Sequence, residues 1–206
     1  MRTCKLLFQG DSITDSDRIR ENPFDLGTGY PKYVASLLRK CYPDISFTFI
    51  NRGIGCDETE QLLLRLGPDL IDLQPDIVSI LIGINDTWHH AGSRDWMPLE
   101  LFEQRYRQIL ERTKKETKAK IMVIEQYLFP VTDKTFFRED LAPKQKAVRM
   151  LAEEYADVFL PLQKHAYEAS FSKGSEAFTP DGVHLNETGA LWLAEAYVET
   201  IKPLFK

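Results

Sequence analysis

Apolar residues fall along the chain in two kinds of block. Short runs dominated by apolar residues lie at 5–9, 45–50, 77–82, 121–124 and 158–160, the clearest being "IVSILI" at 77–82. Runs of this length, bounded by polar residues, predict strands buried on both faces. Between them apolar residues recur at helical spacing. Tyr33, Val34, Leu37, Leu38 and Cys41 make one stripe, with Pro31 suited to the first turn of that helix. A leucine-rich stretch at 62–73 reads as helical, with Gly67-Pro68 marking a kink or restart. Residues 99–118 form a long amphipathic pattern with Leu101, Phe102, Tyr106, Ile109 and Leu110 on its inner face. Residues 144–155 and 191–201 complete the helices.

Strands alternating with helices imply parallel strands and crossover connections, an α/β class with helices on both sheet faces. No internal repeat, low-complexity tract or linker interrupts residues 1–206, so the chain reads as one domain. The longest irregular stretches are 15–29, 85–98, 130–143 and 172–186. In such sheets, ligands bind beyond the carboxyl ends of the strands.

Composition narrows the functional classes. The chain has 206 residues, 43% hydrophobic, enough for one good core, and a net charge of −5. No block of like charge offers an electrostatic footprint for nucleic acid, and none is expected as a partner. No apolar run approaches the ~18 residues of a membrane span, and Met1–Lys5 carries no apolar signal segment. Cys4, Cys41 and Cys56 are odd in number and widely spaced, which fits neither a disulfide framework nor a zinc site. The expectation is a soluble cytoplasmic protein.

Four residue groups carry chemistry. Gly10-Asp11-Ser12 follows the first strand, where a serine opening a helical turn sits near free backbone N–H groups. Asn51-Arg52-Gly53-Ile54-Gly55-Cys56-Asp57 follows the second, with glycines that let the backbone turn tightly against a ligand. Gly83-Ile84-Asn85-Asp86 follows the third and offers a side-chain amide. Asp181-Gly182-Val183-His184 lies in the last loop, where the carboxylate can orient one ring nitrogen while the other faces Ser12. Each alone also reads as a cap or turn. Together they supply a nucleophile, a base, its orienter and oxyanion donors. GxSxG is absent, so the α/β-hydrolase nucleophile elbow is not the template.

The order and combination of "GDSIT", "NRGIGCDET", "GIND" and "DGVH" resemble the SGNH (GDSL) hydrolase superfamily over nearly the whole chain. The resemblance implies a flavodoxin-like three-layer α/β/α sandwich with a five-stranded parallel sheet. It implies Ser12 as nucleophile, His184 as general base and Asp181 as its partner, with no cofactor and no metal. It implies an oxyanion hole of the Ser12 N–H, the Asn85 amide and a backbone N–H of the second block. The family usually has glycine at that last position, where this chain has Cys56, and a one-residue shift would give the role to Gly55. "DSITDSDR", "LGTGY", "NRGI" and "IGINDTW" are further similar to intracellular acetylxylan esterases and related carbohydrate acetylesterases. That narrower likeness implies an acetylated sugar or xylo-oligosaccharide as substrate, and leaves a homo-oligomer open, since some members assemble.

Asp11, Tyr30 and Trp88 are the residues expected to line the substrate pocket, with His89, His90 and Trp96 as further polar or aromatic candidates. A rival on the same triad is a short-chain lipase, thioesterase or lysophospholipase, whose acyl groove would draw on Tyr127, Leu128, Phe129, Phe136, Phe137, Phe171 and Phe178, or those residues are core. Outside that enzyme class stand an inactive sugar-binding relative and a flavin-binding or phospho-acceptor sheet. A metal hydrolase on Asp86, His89 and His90 is a further alternative.

Overall fold

The computed structural model describes residues 2–205. The chain begins with β1 (Arg2–Gly10), the short turn α1 (Ser12–Asp15) and α2 (Tyr30–Cys41). Then come β2 (Ile45–Gly53), α3 (Thr59–Leu64), β3 (Ile77–Leu81), α4 (Asn85–Trp88) and α5 (Leu99–Glu116). β4 (Lys120–Ile124), α6 (Arg138–Tyr155), β5 (Val158–Leu160), α7 (Leu162–Lys173) and α8 (Glu187–Ile201) complete it. All strand pairs are parallel, in the order β2-β1-β3-β4-β5. This is the flavodoxin-like order, with its switch point between β1 and β3.

The central strands β1, β3 and β4 are buried over most of their length because each face has its own helical cover. Leu6, Phe8, Phe49, Met122 and Ile124 pack with Val34 and Leu38 of α2 and Leu193, Tyr197 and Ile201 of α8. Leu7, Ile50, Val78, Ile80, Ile121 and Val123 pack with Leu62 of α3, Phe102, Tyr106 and Ile109 of α5 and Val148 and Leu151 of α6. Three layers result. Burying each such side chain stabilises the fold by roughly 1.5–3 kcal/mol.

Several expectations need correction. Leu101 is 37% exposed, and the inner stripe of α5 starts at Phe102 instead. The leucine-rich stretch does restart at Gly67-Pro68 as expected: α3 ends at Leu64 and a π turn, Gly67–Ile71, carries Pro68 in its first turn. Residues 130–143 are mostly helical: a 3-10 turn, Thr132–Phe137, runs into α6, which holds Pro143 within it. α7 was not foreseen, because only Leu162, Gln163 and Ala166 of its twelve residues are buried and no apolar stripe marks it.

Candidate active site

The carboxyl ends of β1, β2 and β3 lie side by side, with β1 in the middle. Gly10 ends β1, and α1 begins two residues later at Ser12. α1 packs directly on the strand ends, which only bare backbone permits: a Cβ on Gly53 would collide with the Asp15 N–H. Asp11 caps this turn, its Oδ1 accepting from the Ile13 N–H at 3.0 Å. Ser12 is thereby left half-buried at the surface of the site.

Asp11 itself points inward. It is fully buried, and its Oδ2 has no partner among the described residues. Burial pushes its carboxyl up to about 7. Tyr30 is 1% exposed and shares a hydrogen bond between its hydroxyl and that of Thr14 at 3.1 Å. Its ring packs on Phe8 and Tyr197. Both were expected in the substrate pocket. Asp11 is instead a buried cap, whereas Tyr30 is mostly buried with its hydroxyl engaged by Thr14 yet still borders the cleft beside Ser12 and His184.

The loop before α8 turns through Gly182, whose φ of +91° suits glycine. The Thr179 hydroxyl donates to the His184 carbonyl at 2.6 Å and accepts from the Gly182 N–H at 2.9 Å. Asp181 Oδ1 accepts from the N–H groups of Val183 and His184 at 2.9 and 2.8 Å. Its Oδ2 lies 2.7 Å from His184 Nδ1, and His184 Nε2 lies 3.0 Å from Ser12 Oγ. Burial raises the Asp181 carboxyl, but the bonds from the His184 ring and the two N–H groups outweigh it and hold the group well below the usual carboxylate range. The bond to Asp181 raises the His184 imidazole above its ordinary value, against a smaller opposing effect of burial. An ionised Asp181 accepts the Nδ1 proton, so the neutral ring presents a lone pair at Nε2 toward Ser12.

The backbone N–H groups of Ser12 and Cys56 have no hydrogen-bond partner among the described residues. Cys56 has φ +69° at the third position of a turn closed by the Asp57 N–H to the Ile54 carbonyl at 3.3 Å. Glycine is the usual residue for that geometry. The Gly55 N–H donates to Asp15 Oδ2 at 3.0 Å and is not free, which removes it as the alternative donor. Asn85, 7% exposed, opens α4 and donates one amide hydrogen to the Asp57 carbonyl at 2.9 Å, leaving the other. Gly83, at φ +116°, lets β3 turn into α4; a Cβ there would strike Gln126.

Trp88 stands on the far side of His184. Its ring centroid is 5.7 Å from the imidazole and 5.7 Å from Phe137, and the Lys134 ammonium lies 5.1 Å over it. Lys134 comes from the 130–143 segment, which therefore packs beside this site. On the other side a cleft of about 860 Å³ opens from Ser12 and His184. Arg18, Arg20, Lys32, Tyr33, Asn186 and Glu187 are among its walls, and the Tyr33 hydroxyl donates to Glu187 at 2.9 Å.

The remaining candidates lie apart. Asp86 is buried and accepts from the Thr59 N–H and hydroxyl, His89 pairs with Glu58 at 2.8 Å, and His90 Nδ1 meets the Asp95 carbonyl at 2.7 Å. Trp96 donates to Glu139 at 3.1 Å. No three metal-binding side chains are grouped to hold an ion among the described residues. Tyr127, Leu128, Phe129, Phe137 and Phe178 are core, and Phe171 is 97% exposed on α7.

Sequence reading missed the residues that hold these groups in place: Asp15 on the second block, Asp57 beneath Asn85, and Arg65. The one signal for Arg65 was a lone charge inside a leucine run, Leu62-Leu63-Leu64-Arg65-Leu66.

Residues 8–191 match the model of the GDSL-like lipase/acylhydrolase family. The chain belongs to that family. It is a carboxylic ester hydrolase of the GDSL type. It is 33% identical over 205 residues to an acetylxylan esterase of Geobacillus stearothermophilus, covering 96% of this chain and 93% of that one. The crystal structure of Axe2, an acetylxylan esterase from that organism, superposes with a TM-score of 0.87 at 32% identity, over 95% of this chain and 93% of the other. Solved forms of Axe2 described as catalytic mutants replace a serine, an aspartate or a histidine with alanine. A putative GDSL-like lipase from Parabacteroides merdae superposes with a TM-score of 0.88 at 29% identity, over 96% of this chain and 95% of that one. No helix among the described residues is long and apolar enough to cross a membrane.

Proposed function

We propose that the chain removes acetyl groups from sugars, with acetylated xylo-oligosaccharides as the substrate class, through Ser12, His184 and Asp181. The observation that carries this reading is the continuous line Asp181 Oδ2–His184 Nδ1, His184 Nε2–Ser12 Oγ, at 2.7 and 3.0 Å, ending beside two unpaired N–H groups. A serine hydroxyl is a weak nucleophile until a base takes its proton. His184 Nε2 takes that proton as Oγ bonds to the ester carbonyl carbon. The carbonyl oxygen becomes an oxyanion and accepts from the Ser12 and Cys56 N–H groups and the free Asn85 amide hydrogen. The carbon–oxygen bond to the sugar breaks, and the sugar oxygen leaves with the proton from Nε2. Water then gives a proton to Nε2 and attacks the acyl-enzyme. The bond to Oγ breaks, Oγ recovers the proton, and acetate leaves. These steps need only groups of the chain and water.

The walls of the cleft favour a sugar over a fatty chain. Its volume far exceeds an acetyl group, and Arg20, Lys32, Tyr33 and Glu187 offer hydrogen bonds to hydroxyls. The aromatic residues that would wall an acyl groove are largely locked in the core. The test is acetate release from acetylated xylo-oligosaccharide beside hydrolysis of p-nitrophenyl acetate and p-nitrophenyl octanoate. Strong release from the sugar with weak octanoate hydrolysis supports the proposal. Activity on octanoate alone moves the reading to a lipase-like acyl hydrolase.

A further inference from the structure

Arg65 makes an unusual set of bonds for a residue that touches neither the nucleophile nor the cleft. It follows α3, and its side chain is 13% exposed. Its Nε donates to Asp57 Oδ2 at 2.6 Å. Nη2 donates to the Gly10 carbonyl at 3.0 Å, and Nη1 to the Arg52 carbonyl at 2.8 Å and to Gln9 Oε1 at 2.9 Å. Asp69 lies 3.2 Å from Nη1.

The acceptors matter because of what stands next to them in the chain. Gly10 ends β1, two residues before Ser12. Arg52 lies near the end of β2, four residues before Cys56. Asp57 follows Cys56 directly, and its own carbonyl accepts from the Asn85 amide at 2.9 Å. One planar guanidinium thus ties together the backbone supports of all three groups assigned to the oxyanion. A planar fork of fixed N–H directions suits this; a lysine ammonium, a point charge on a flexible stem, cannot reach the three positions at once.

We infer that Arg65 is a positioning residue of the oxyanion site, setting the spacing between the N–H groups of Ser12 and Cys56 and the Asn85 amide. The inference rests on the reading of those three groups as oxyanion donors. Donors that drift by about 1 Å lose on the order of a hundredfold in rate, because the stabilisation is realised only where charge develops. The loss falls on kcat, since substrate binding in the cleft uses other residues. The Asp181–His184 pair is untouched, because both residues come from the loop before α8.

The test compares wild type, Arg65→Lys, Arg65→Ala and Asn85→Ala on p-nitrophenyl acetate, with active centres counted by a fluorophosphonate that labels Ser12. Thermal unfolding is measured alongside. For Arg65→Lys the expected result is a fall in kcat per labelled centre of roughly ten- to a hundredfold, with KM within about twofold and the acidic limb of the pH profile unmoved. Guanidinium ion at low concentration should restore part of the kcat of Arg65→Ala. Unchanged kcat per labelled centre in Arg65→Lys, with only a lower Tm, would overturn the inference and leave Arg65 a stabilising residue. Asn85→Ala separates the two readings. A fall of ~10²–10³ in its kcat upholds the oxyanion assignment whatever Arg65 does. No fall there removes that assignment, and the role of Arg65 with it.

Discussion

His184 Nε2 lies 3.0 Å from Ser12 Oγ although 172 residues separate the two in the chain. Ser12 stands after β1 and His184 before α8, and α2 and α8 cover the same face of the sheet. The contact is therefore fixed by the packing of the sandwich. It also fixes the pH dependence. His184 can take the serine proton only when neutral, so kcat/KM should rise with pH along a limb set by His184. Asp181 raises that imidazole, which places the midpoint above the ordinary value of about 6.5. Replacing Asp181→Asn removes the charge and should move the midpoint down while lowering kcat. A midpoint that does not move would separate Asp181 from the base.

The same pair contributes to stability with opposite pH dependence. His184 binds its proton more tightly folded than unfolded, so its contribution is full below about pH 6.5 and is lost as pH rises through the raised value. Asp181 is depressed, so its contribution is present above the ordinary carboxylate value and is lost as pH falls below it. Urea unfolding of wild type and Asp181→Asn across pH should show the two converging at low pH, where Asp181 is protonated.

Cys56 holds a left-handed φ of +69°, where glycine is unstrained, and offers an N–H rather than its thiol. Cys56→Gly should keep kcat within about threefold and leave stability equal or slightly raised. Cys56→Pro removes the N–H and cannot adopt that φ, so kcat should fall on the order of a hundredfold or more. Equal activity of the proline variant, measured with p-nitrophenyl acetate, would remove Cys56 from the oxyanion site.

Lys144 is fully buried on α6. Its ammonium meets Asp140 at 2.5 Å and the Asp86 carbonyl at 2.7 Å, which ties α6 to the helical turn that starts with Asn85. Lys144→Met leaves Asp140 buried without its cation and should cost roughly 3–5 kcal/mol. Asp140→Asn and Lys144→Met together should cost less than the sum of the two. Denaturant unfolding of the four proteins gives that coupling directly.

The strands were legible because burial on both faces leaves solid apolar runs, as at residues 77–82. The grouping of Ser12, His184 and Asp181 was legible because four motifs fall in a fixed order. What was not legible depends on partners distant in sequence. Tyr30 reads equally as a pocket residue or as the first buried residue of its helix, until Thr14 and Phe8 close around it. Asp11 looks like a pocket acid, yet its chain direction turns it inward as a cap. Cys56 matches the expected position and Gly55 would take it on a one-residue shift; the bond from the Gly55 N–H to Asp15 favours Cys56. Arg65 stands as a lone charge in a leucine run, and its acceptors come from β1, β2 and the turn after β2. Pro143 reads as a boundary, but α6 starts at Arg138 and runs through it.

The central claim is that Ser12 attacks an acetyl ester of a sugar. The most direct measurement is acetate released from acetylated xylo-oligosaccharide by wild type and by Ser12→Ala, with matching circular dichroism to show that both are folded. The account predicts rapid release by wild type and a loss of at least about a thousandfold in the variant. Equal release by the two proteins would contradict it and leave Ser12 as no more than the start of a helical turn.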